Sequence, residues 1–235
     1  MFDGLEESFG KLSRFSADIA HELRTPINNL RGEVEVAIAR QRSREEYRSV
    51  LESCLEEAER LSNLIDSLLF LARTEGAKVL LRREPLDLHR ELVAVTAFYE
   101  ALASEAGVGL IVDARGSLIA NVDRALFQSA VGNLVHNAIS ATPRGGNVSV
   151  HAELEGSDVR IEVTDTGHGI SPLDLPRVFD RLYRADTARA SGGVGLGLAI
   201  VKNIAALHRG SASIRSEQGI GTTATLRFPT HMAIS

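Results

Sequence analysis

Apolar side chains recur every three or four positions at the start of the chain: Leu5, Phe9, Leu12, Phe15, Ile19, Leu23, Ile27, Leu30, Val34 and Ile38. That spacing keeps one helical face apolar and predicts a helix over residues 5–40. A charged stretch at 40–44 interrupts the stripe. Val50, Leu51, Leu55, Ala58, Leu61, Ile65, Leu68, Leu69 and Ala72 then resume it and predict a second helix over 45–75, closed by Gly76. Each helix is on the order of 50 Å long at the standard rise per residue. Joined by a short turn, the two form an antiparallel hairpin. One hairpin alone covers its two stripes poorly, so pairing of two copies into a four-helix bundle is expected. The competing reading is a monomeric hairpin packed on the rest of the chain.

The pattern changes after Gly76. Residues 88–106 read as a helix closed by Gly107, and 124–141 and 196–207 as two more. Short strands are expected at 108–113 and 118–122, around a turn at 114–117. Alternation over 148–154 and 159–164, joined by Glu155-Gly156-Ser157-Asp158, predicts a β-hairpin. A last hairpin, 211–216 with 222–228, turns at Gly219-Ile220-Gly221. Mixed helices and antiparallel strands predict an α+β sandwich. The expected organisation is therefore multidomain: an all-α hairpin domain at 1–76, a linker at 77–83, an α+β domain at 84–230 and a tail at 231–235.

Composition narrows the function classes. The 235 residues are 44% hydrophobic and carry a formal net charge of -5, with pI about 5.8, a balance that argues against a nucleic-acid binder. The single cysteine, Cys54, excludes an internal disulfide, suits a reducing compartment, and reads as core packing on the second helix. The apolar stretch 64–72 contains a charge and falls far short of the roughly 18 residues a membrane span needs. No signal peptide is visible. The stripe is already under way at Leu5, so the chain is expected to be a piece of a longer protein.

The candidate chemistry centres on His21. It is followed by an acid, Glu22, at i+4 by a hydroxyl, Thr25, and then by Pro26, which is expected to bend the helix. A neutral imidazole is a nucleophile near pH 7. Three later segments have nucleotide-binding character. Asn133 and Asn137 share a helical face, and an amide oxygen is a hard neutral ligand suited to Mg²⁺. In Asp165-Thr166-Gly167-His168-Gly169-Ile170, an Asp at a strand end can accept from an exocyclic amine, while the glycines let backbone approach a flat ring. Gly192-Gly193-Val194-Gly195-Leu196-Gly197-Leu198 runs into a helix N-terminus able to hold phosphate. Each pattern alone also fits surface asparagines, a turn or tight helix packing. Their order and spacing carry the signal.

The segment Phe15-Ser16-Ala17-Asp18-Ile19-Ala20-His21-Glu22-Leu23-Arg24-Thr25-Pro26 resembles the H-box of sensor histidine kinases of two-component systems. Asn133-Leu134-Val135-His136-Asn137 is similar to their N-box, and the Asp165 segment to their G1 box. Val178-Phe179-Asp180-Arg181-Leu182-Tyr183-Arg184 is similar to the F-box, and the stretch from Gly193 to Leu198 to the G2 box. The resemblance covers about residues 10–230. Ala17-Asp18-Ile19-Ala20-His21, Asn28-Asn29-Leu30, Glu45-Glu46-Tyr47 and Leu69-Phe70-Leu71-Ala72-Arg73 further resemble the copper/silver branch of heavy-metal sensors.

The resemblance implies a dimeric phosphotransfer bundle followed by a Bergerat-type (GHKL) ATP-binding domain. It implies that His21 accepts phosphate from ATP and passes it to an Asp of a response regulator. Glu22 would orient the ring or accept its proton, and Thr25 would position water for phosphatase action on that regulator. Asn137 would bind Mg²⁺, with Asn133 in support. Asp165 would take the adenine amine, and Gly167, Gly169, Gly193, Gly195, Gly197 and Leu198 would shape the pocket. Arg181 and Arg184 would contact the transferred phosphoryl, and 171–194 would form the lid. The parent protein would sit in the inner membrane with this part in the cytoplasm. Three positions depart from the family pattern: Ser140 and Ala141 offer neither cation nor ring, and Val194 replaces a small hydroxyl residue, which is expected either to weaken ATP affinity or to hand phosphate contacts to Arg181, Arg184 or Lys202. His89, His136, His151, His168, His208 and His231 show no ligand-like grouping, and no structural metal is assigned. The alternatives are a non-catalytic dimeric scaffold that binds regulator or nucleotide, and a chaperone-type ATPase.

Overall fold

The computed structural model describes residues 2–74, 80–114, 118–184 and 194–230, with side chains of the first helix from Ser16 onward. The chain divides into two compact units, Met1–Ala72 and Arg73–Ser235.

The first unit is the expected helical hairpin, α1 (Phe2–Ile38) and α2 (Arg44–Thr74). α2 starts at a reciprocal cap. Ser43 Oγ accepts from the Glu46 backbone N–H at 3.1 Å, and a Glu46 carboxylate oxygen accepts from the Ser43 N–H at 2.8 Å. The Ser43 N–H bond is the main reason the Glu46 carboxyl titrates below its ordinary range. α1 continues through Pro26, which is buried. Ala37, Leu64 and Leu71 are buried too, but most of the apolar stripe is uncovered: Ile27, Val34, Leu51, Leu55, Ile65 and Leu69 are all exposed. Cys54 departs from its expected role in an apolar core. It is half-buried, and its Sγ lies 3.6 Å from a carboxylate oxygen of Glu33, whose other oxygen accepts from Ser53 Oγ at 2.8 Å. Burial, and then Glu33, raise the thiol pKa.

The second unit contains β1 (Arg83–Asp87), α3 (Leu88–Ala106), β2 (Gly109–Ala114), β3 (Ile119–Asp123), α4 (Arg124–Ala141), β4 (Asn147–Glu155), β5 (Asp158–Asp165), α5 (Gly197–Leu207), β6 (Ser211–Glu217) and β7 (Gly221–Pro229). α3 and α4 are both entered through an aspartate cap, Asp87 accepting from the His89 N–H and Asp123 from the Leu126 N–H. α3 closes at Gly107 with φ 68°. The main sheet has the order β2-β4-β5-β7-β6. Alternate residues of β4 and β5, namely Val148, Val150, Ala152, Val159, Ile161 and Val163, are buried, as are Phe127, Val131 and Leu134 of α4 and Val201 and Ile204 of α5. The helices thus cover one face of the sheet. On the other face Arg160 is bonded to Glu153 and Glu162.

One expectation is corrected. The strands at 109–114 and 119–123 do not form a hairpin with each other. β2 pairs parallel with β4, while β3 pairs antiparallel with β1 in a separate two-stranded sheet. β1 itself was not predicted, because Arg83-Glu84-Pro85-Leu86-Asp87 has one buried apolar residue, a proline and no alternation. A two-stranded sheet leaves each strand a free edge where a missing proline N–H is tolerated. The expected end of α2 at Gly76 lies outside the described residues.

His208, at the end of α5, ties these elements together. The Asp123 N–H donates to its Nε2 at 3.0 Å, Nδ1 bonds the Ile204 carbonyl at 2.8 Å, and the ring packs edge-on against Phe228. Nε2 must be unprotonated to accept, so the folded state holds a neutral imidazole; burial is the main cause of its lowered pKa. The unfolded chain takes up this proton near the ordinary histidine value of about 6.5. The unfolded state therefore binds more protons below that pH, and His208 contributes stability that is lost as pH falls. Urea unfolding at pH 7.5 and pH 5 is expected to show a smaller pH-dependent loss in His208→Gln than in the parent chain. Equal losses would contradict this role.

Candidate active site

Asn133 and Asn137 stand one turn apart on α4, the first half-buried and the second exposed. The Asn133 Nδ2 donates to the Ser129 carbonyl at 2.8 Å. A Cβ at Gly197 would lie 2.9 Å from Asn133 Oδ1 and 3.4 Å from Asn137 Nδ2. Glycine here lets the first turn of α5 close directly on the two amides. Leu196 precedes that turn without a side-chain cap, and the turn holds no acidic residue. Among the described residues the leading N–H groups of α5 therefore keep free donors and a positive dipole end of the kind that can receive phosphate. Leu196 is buried, and Leu198 is half-buried beside this terminus. Among the described residues no group of three or more His, Cys, Asp or Glu could hold a metal ion. The donors present, amide oxygens beside a phosphate-type helix end, suit Mg²⁺, which completes its shell with phosphate and water oxygens.

Asp165 ends β5 and is 6% exposed. Its Oδ1 accepts from the Gly167 N–H at 2.8 Å and the Thr222 N–H at 3.2 Å, while Oδ2 makes no hydrogen bond to a described residue. Burial raises its pKa above the ordinary carboxylate range, with the two amides acting in the opposite sense. The glycines of this turn have a packing requirement of their own. A Cβ at Gly167 would stand 2.4 Å from the Ala141 carbonyl oxygen, and Gly169, at φ 66°, packs against the Glu217 carbonyl. They seat the turn on the end of α4 and on β6. Ala141 thus contributes through its carbonyl, which also accepts from the His168 N–H at 3.3 Å. The His168 side chain is exposed, with Nδ1 2.8 Å from the Gly169 oxygen.

The Phe179 to Arg184 segment is clasped to the start of α5. The Leu182 N–H donates to the Gly195 carbonyl at 2.9 Å. Gly195 has φ 75°, and a Cβ there would be 2.7 Å from the Tyr183 oxygen. Arg181 and Arg184 are half-buried. Lys202, expected as a substitute phosphate contact, has its Nζ 5.5 Å from the centre of the Phe179 ring. Gly193 and the other residues of 185–193, within the expected lid, lie outside the described residues.

On the hairpin, His21 is exposed and Glu22 half-buried. Among the described residues no hydrogen bond or ion pair joins them. Thr25 is exposed, and its hydroxyl donates to the His21 carbonyl at 3.3 Å.

The sequence pattern missed two residues of the Asp165 pocket. Thr222 supplies the second amide to the carboxylate. Ser216 Oγ bonds Thr222 Oγ1 at 2.8 Å and accepts from the Ile170 N–H at 2.8 Å, binding the turn to the last hairpin. The signal was Gly219-Ile220-Gly221-Thr222, whose glycines read only as a turn.

Two family profiles match the chain: the His Kinase A (phospho-acceptor) domain over residues 11–77, and the histidine kinase-, DNA gyrase B- and HSP90-like ATPase over 122–232. Sensor protein IrlS of Burkholderia pseudomallei is 40% identical over 99% of this chain and 50% of its own length. Sensor protein CzcS of Cupriavidus metallidurans is 42% identical over 97% of this chain and 48% of its own. The chain spans about half the length of these curated relatives. Among solved structures, full-length ShkA in complex with AMPPNP aligns with a TM-score of 0.68 at 27% identity, over 92% of this chain and 46% of that one.

Proposed function

The chain belongs to the sensor histidine kinases of two-component systems, and on that premise we propose that it transfers the terminal phosphoryl group of ATP to His21 and from there to an Asp of a response regulator. The observation that carries this reading is the convergence of Asn133, Asn137 and the uncapped start of α5 in the same unit as the oriented carboxylate of Asp165. Asp165 Oδ2 accepts from the adenine amine while Gly167 and Thr222 fix the carboxylate through Oδ1. The amides leading α5 hold phosphate oxygens, and Asn137, supported by Asn133, offers its amide oxygen to Mg²⁺. A Mg²⁺ ion held there would supply charge neutralisation at the phosphate oxygens. Arg181 and Arg184 contact the transferred group. A ring nitrogen of His21 attacks the terminal phosphorus, the bond from that phosphorus to the bridging oxygen breaks with ADP as leaving group, and the ring proton passes to Glu22 or to solvent.

The reading extends to the rest of the hairpin. Two copies pair through the exposed stripe of Ile27, Val34, Leu51, Leu55, Ile65 and Leu69 into a four-helix bundle. Residues 1–76 form this dimerisation and phosphotransfer domain, 77–83 a linker, and 84–230 the ATP-binding domain. Thr25 positions water for removing phosphate from the regulator. Among the described residues no helix is long and apolar enough to cross a membrane. The parent protein is proposed to be anchored in the inner membrane with this part in the cytoplasm, and to respond to a heavy metal, in keeping with the copper/silver-type segments around His21.

Incubation with radiolabelled ATP and Mg²⁺ tests the reading. The chain is expected to label itself and to lose the label to a cognate receiver domain. Asn137→Ala is expected to reduce labelling by about 100-fold or more, as loss of one charge-stabilising group does at other phosphoryl or oxyanion sites. Unchanged labelling in this variant would assign the cation to other ligands.

A further inference from the structure

Leu182 has φ 58°, a left-handed conformation that leucine adopts poorly, so neighbouring contacts must impose it. On one side its N–H is bonded to the Gly195 carbonyl. On the other stands Tyr183, whose hydroxyl donates to Asp174 Oδ1. Asp174 is itself fixed: Ser171 Oγ donates to Oδ2 at 2.9 Å and accepts from the Asp174 N–H at 3.2 Å. The Arg177 guanidinium lies over the Tyr183 ring, 4.1 Å from its centre. The Tyr183 hydroxyl is the first cause, and the Ser171 hydroxyl the second, of an Asp174 pKa below the ordinary carboxylate range, so the acceptor is ionised at neutral pH. Tyr183 thus joins three pieces of chain. Its side chain reaches back to the turn that follows the Asp165 pocket, and its carbonyl closes on Gly195 at the mouth of α5. Its sequence neighbours on either side are the Leu182 turn with Arg181, and Arg184.

We propose that Tyr183 and Asp174 are positioning residues for phosphoryl transfer: the hydroxyl–carboxylate bond holds residues 181–184 in the one conformation that presents Arg181 and Arg184 to the terminal phosphate. The inference rests on the ATP-to-His21 reading above. It separates two ends of the nucleotide. Asp165 fixes the adenine end and does not depend on Tyr183. The Asp174–Tyr183 bond acts at the phosphate end and therefore on the rate of transfer rather than on the binding of ADP.

The test uses this chain and three variants, each measured for its labelling rate at saturating ATP, its affinity for a fluorescent ADP analogue and its melting temperature. Tyr183→Phe, which keeps the ring under Arg177, is expected to label about tenfold more slowly or worse, the effect of losing a hydrogen bond to a charged acceptor. Its ADP affinity is expected to stay within about twofold, since no adenine contact changes. Asp174→Ala is expected to match it. Asp174→Asn keeps an acceptor oxygen and is expected to recover part of the rate, a rescue that mere loosening of the fold does not produce. A Tyr183→Phe rate equal to the parent's overturns the inference, as does ADP affinity that falls by the same factor as the rate. A parent chain that takes no label defeats the ATP-to-His21 reading and this inference together; a labelling parent with an equally fast Tyr183→Phe defeats this inference alone.

Discussion

Replacing His21 by glutamine abolishes incorporation of phosphate from ATP into this chain and leaves its affinity for ADP unchanged. His21 is an exposed position on α1, and among the described residues its side chain makes no hydrogen bond or ion pair. An exposed polar substitution of this kind changes stability by no more than about 0.5 kcal/mol. Glutamine keeps a polar side chain of similar reach but lacks a nucleophilic ring nitrogen. Labelling is expected to fall by more than about 10³-fold, the scale on which group-transfer enzymes lose activity when the nucleophile goes. The proposed adenine and phosphate contacts lie in the other unit of the chain, so ADP titration is expected to be indistinguishable from the parent's. Residual labelling at an appreciable fraction of the parent rate would move the acceptor to another residue.

Asp165→Asn is expected to weaken ATP and ADP binding by about 100-fold or more, because donor then faces donor where a buried hydrogen bond stood. Asparagine can keep its oxygen on the Gly167 and Thr222 amides, but its Nδ2 then occupies the place of Oδ2 and meets the adenine amine. The fold responds the other way. Burial raises the Asp165 pKa, so the folded state favours the protonated form, and the ionised carboxylate costs stability once pH rises through that pKa. The amide removes this cost. The variant is therefore expected to melt no lower than the parent at neutral pH while failing to bind nucleotide. The same titration predicts that the parent loses nucleotide as pH drops into the raised range, because the protonated carboxyl presents a donor. Calorimetric titration of ADP into both proteins checks this; parent-like affinity in the variant would place the adenine elsewhere.

The parts of the fold legible in the sequence were those written in local signals. α3 and α4 were bounded correctly because Asp87, Gly107 and Asp123 mark their ends in the chain itself. The capping pair Ser43 and Glu46 is equally local and could have placed the start of α2. Pairing was less legible. Residues 108–113 and 118–122 read as short strands around one turn, yet β2 finds its neighbour in β4 across α4, a choice made by burial of the sheet face rather than by the intervening turn. β1 hides because a strand in a two-stranded sheet needs only one buried side chain, Leu86.

The candidate site shows the same division. Asn133, Asn137, Asp165 and Gly197 were legible as a set from their order, and the fold brings the two amides to the start of α5. Thr222 was not, because its contribution is a backbone N–H, which any residue type could donate. His208 carried no local signal either, since its partner Asp123 lies 85 positions away. Gly167 was legible as a required glycine, but its reason, the Ala141 carbonyl, is a contact between elements that no local pattern contains.

In the proposed reaction phosphate from ATP becomes attached to a histidine nitrogen of this chain. The direct measurement is the chemical stability of the label after incubation with radiolabelled ATP and Mg²⁺. A phosphoramidate is expected: label lost in acid and retained in alkali, and absent from His21→Gln. Label that survives acid, or a parent chain that releases phosphate without becoming labelled, would contradict it.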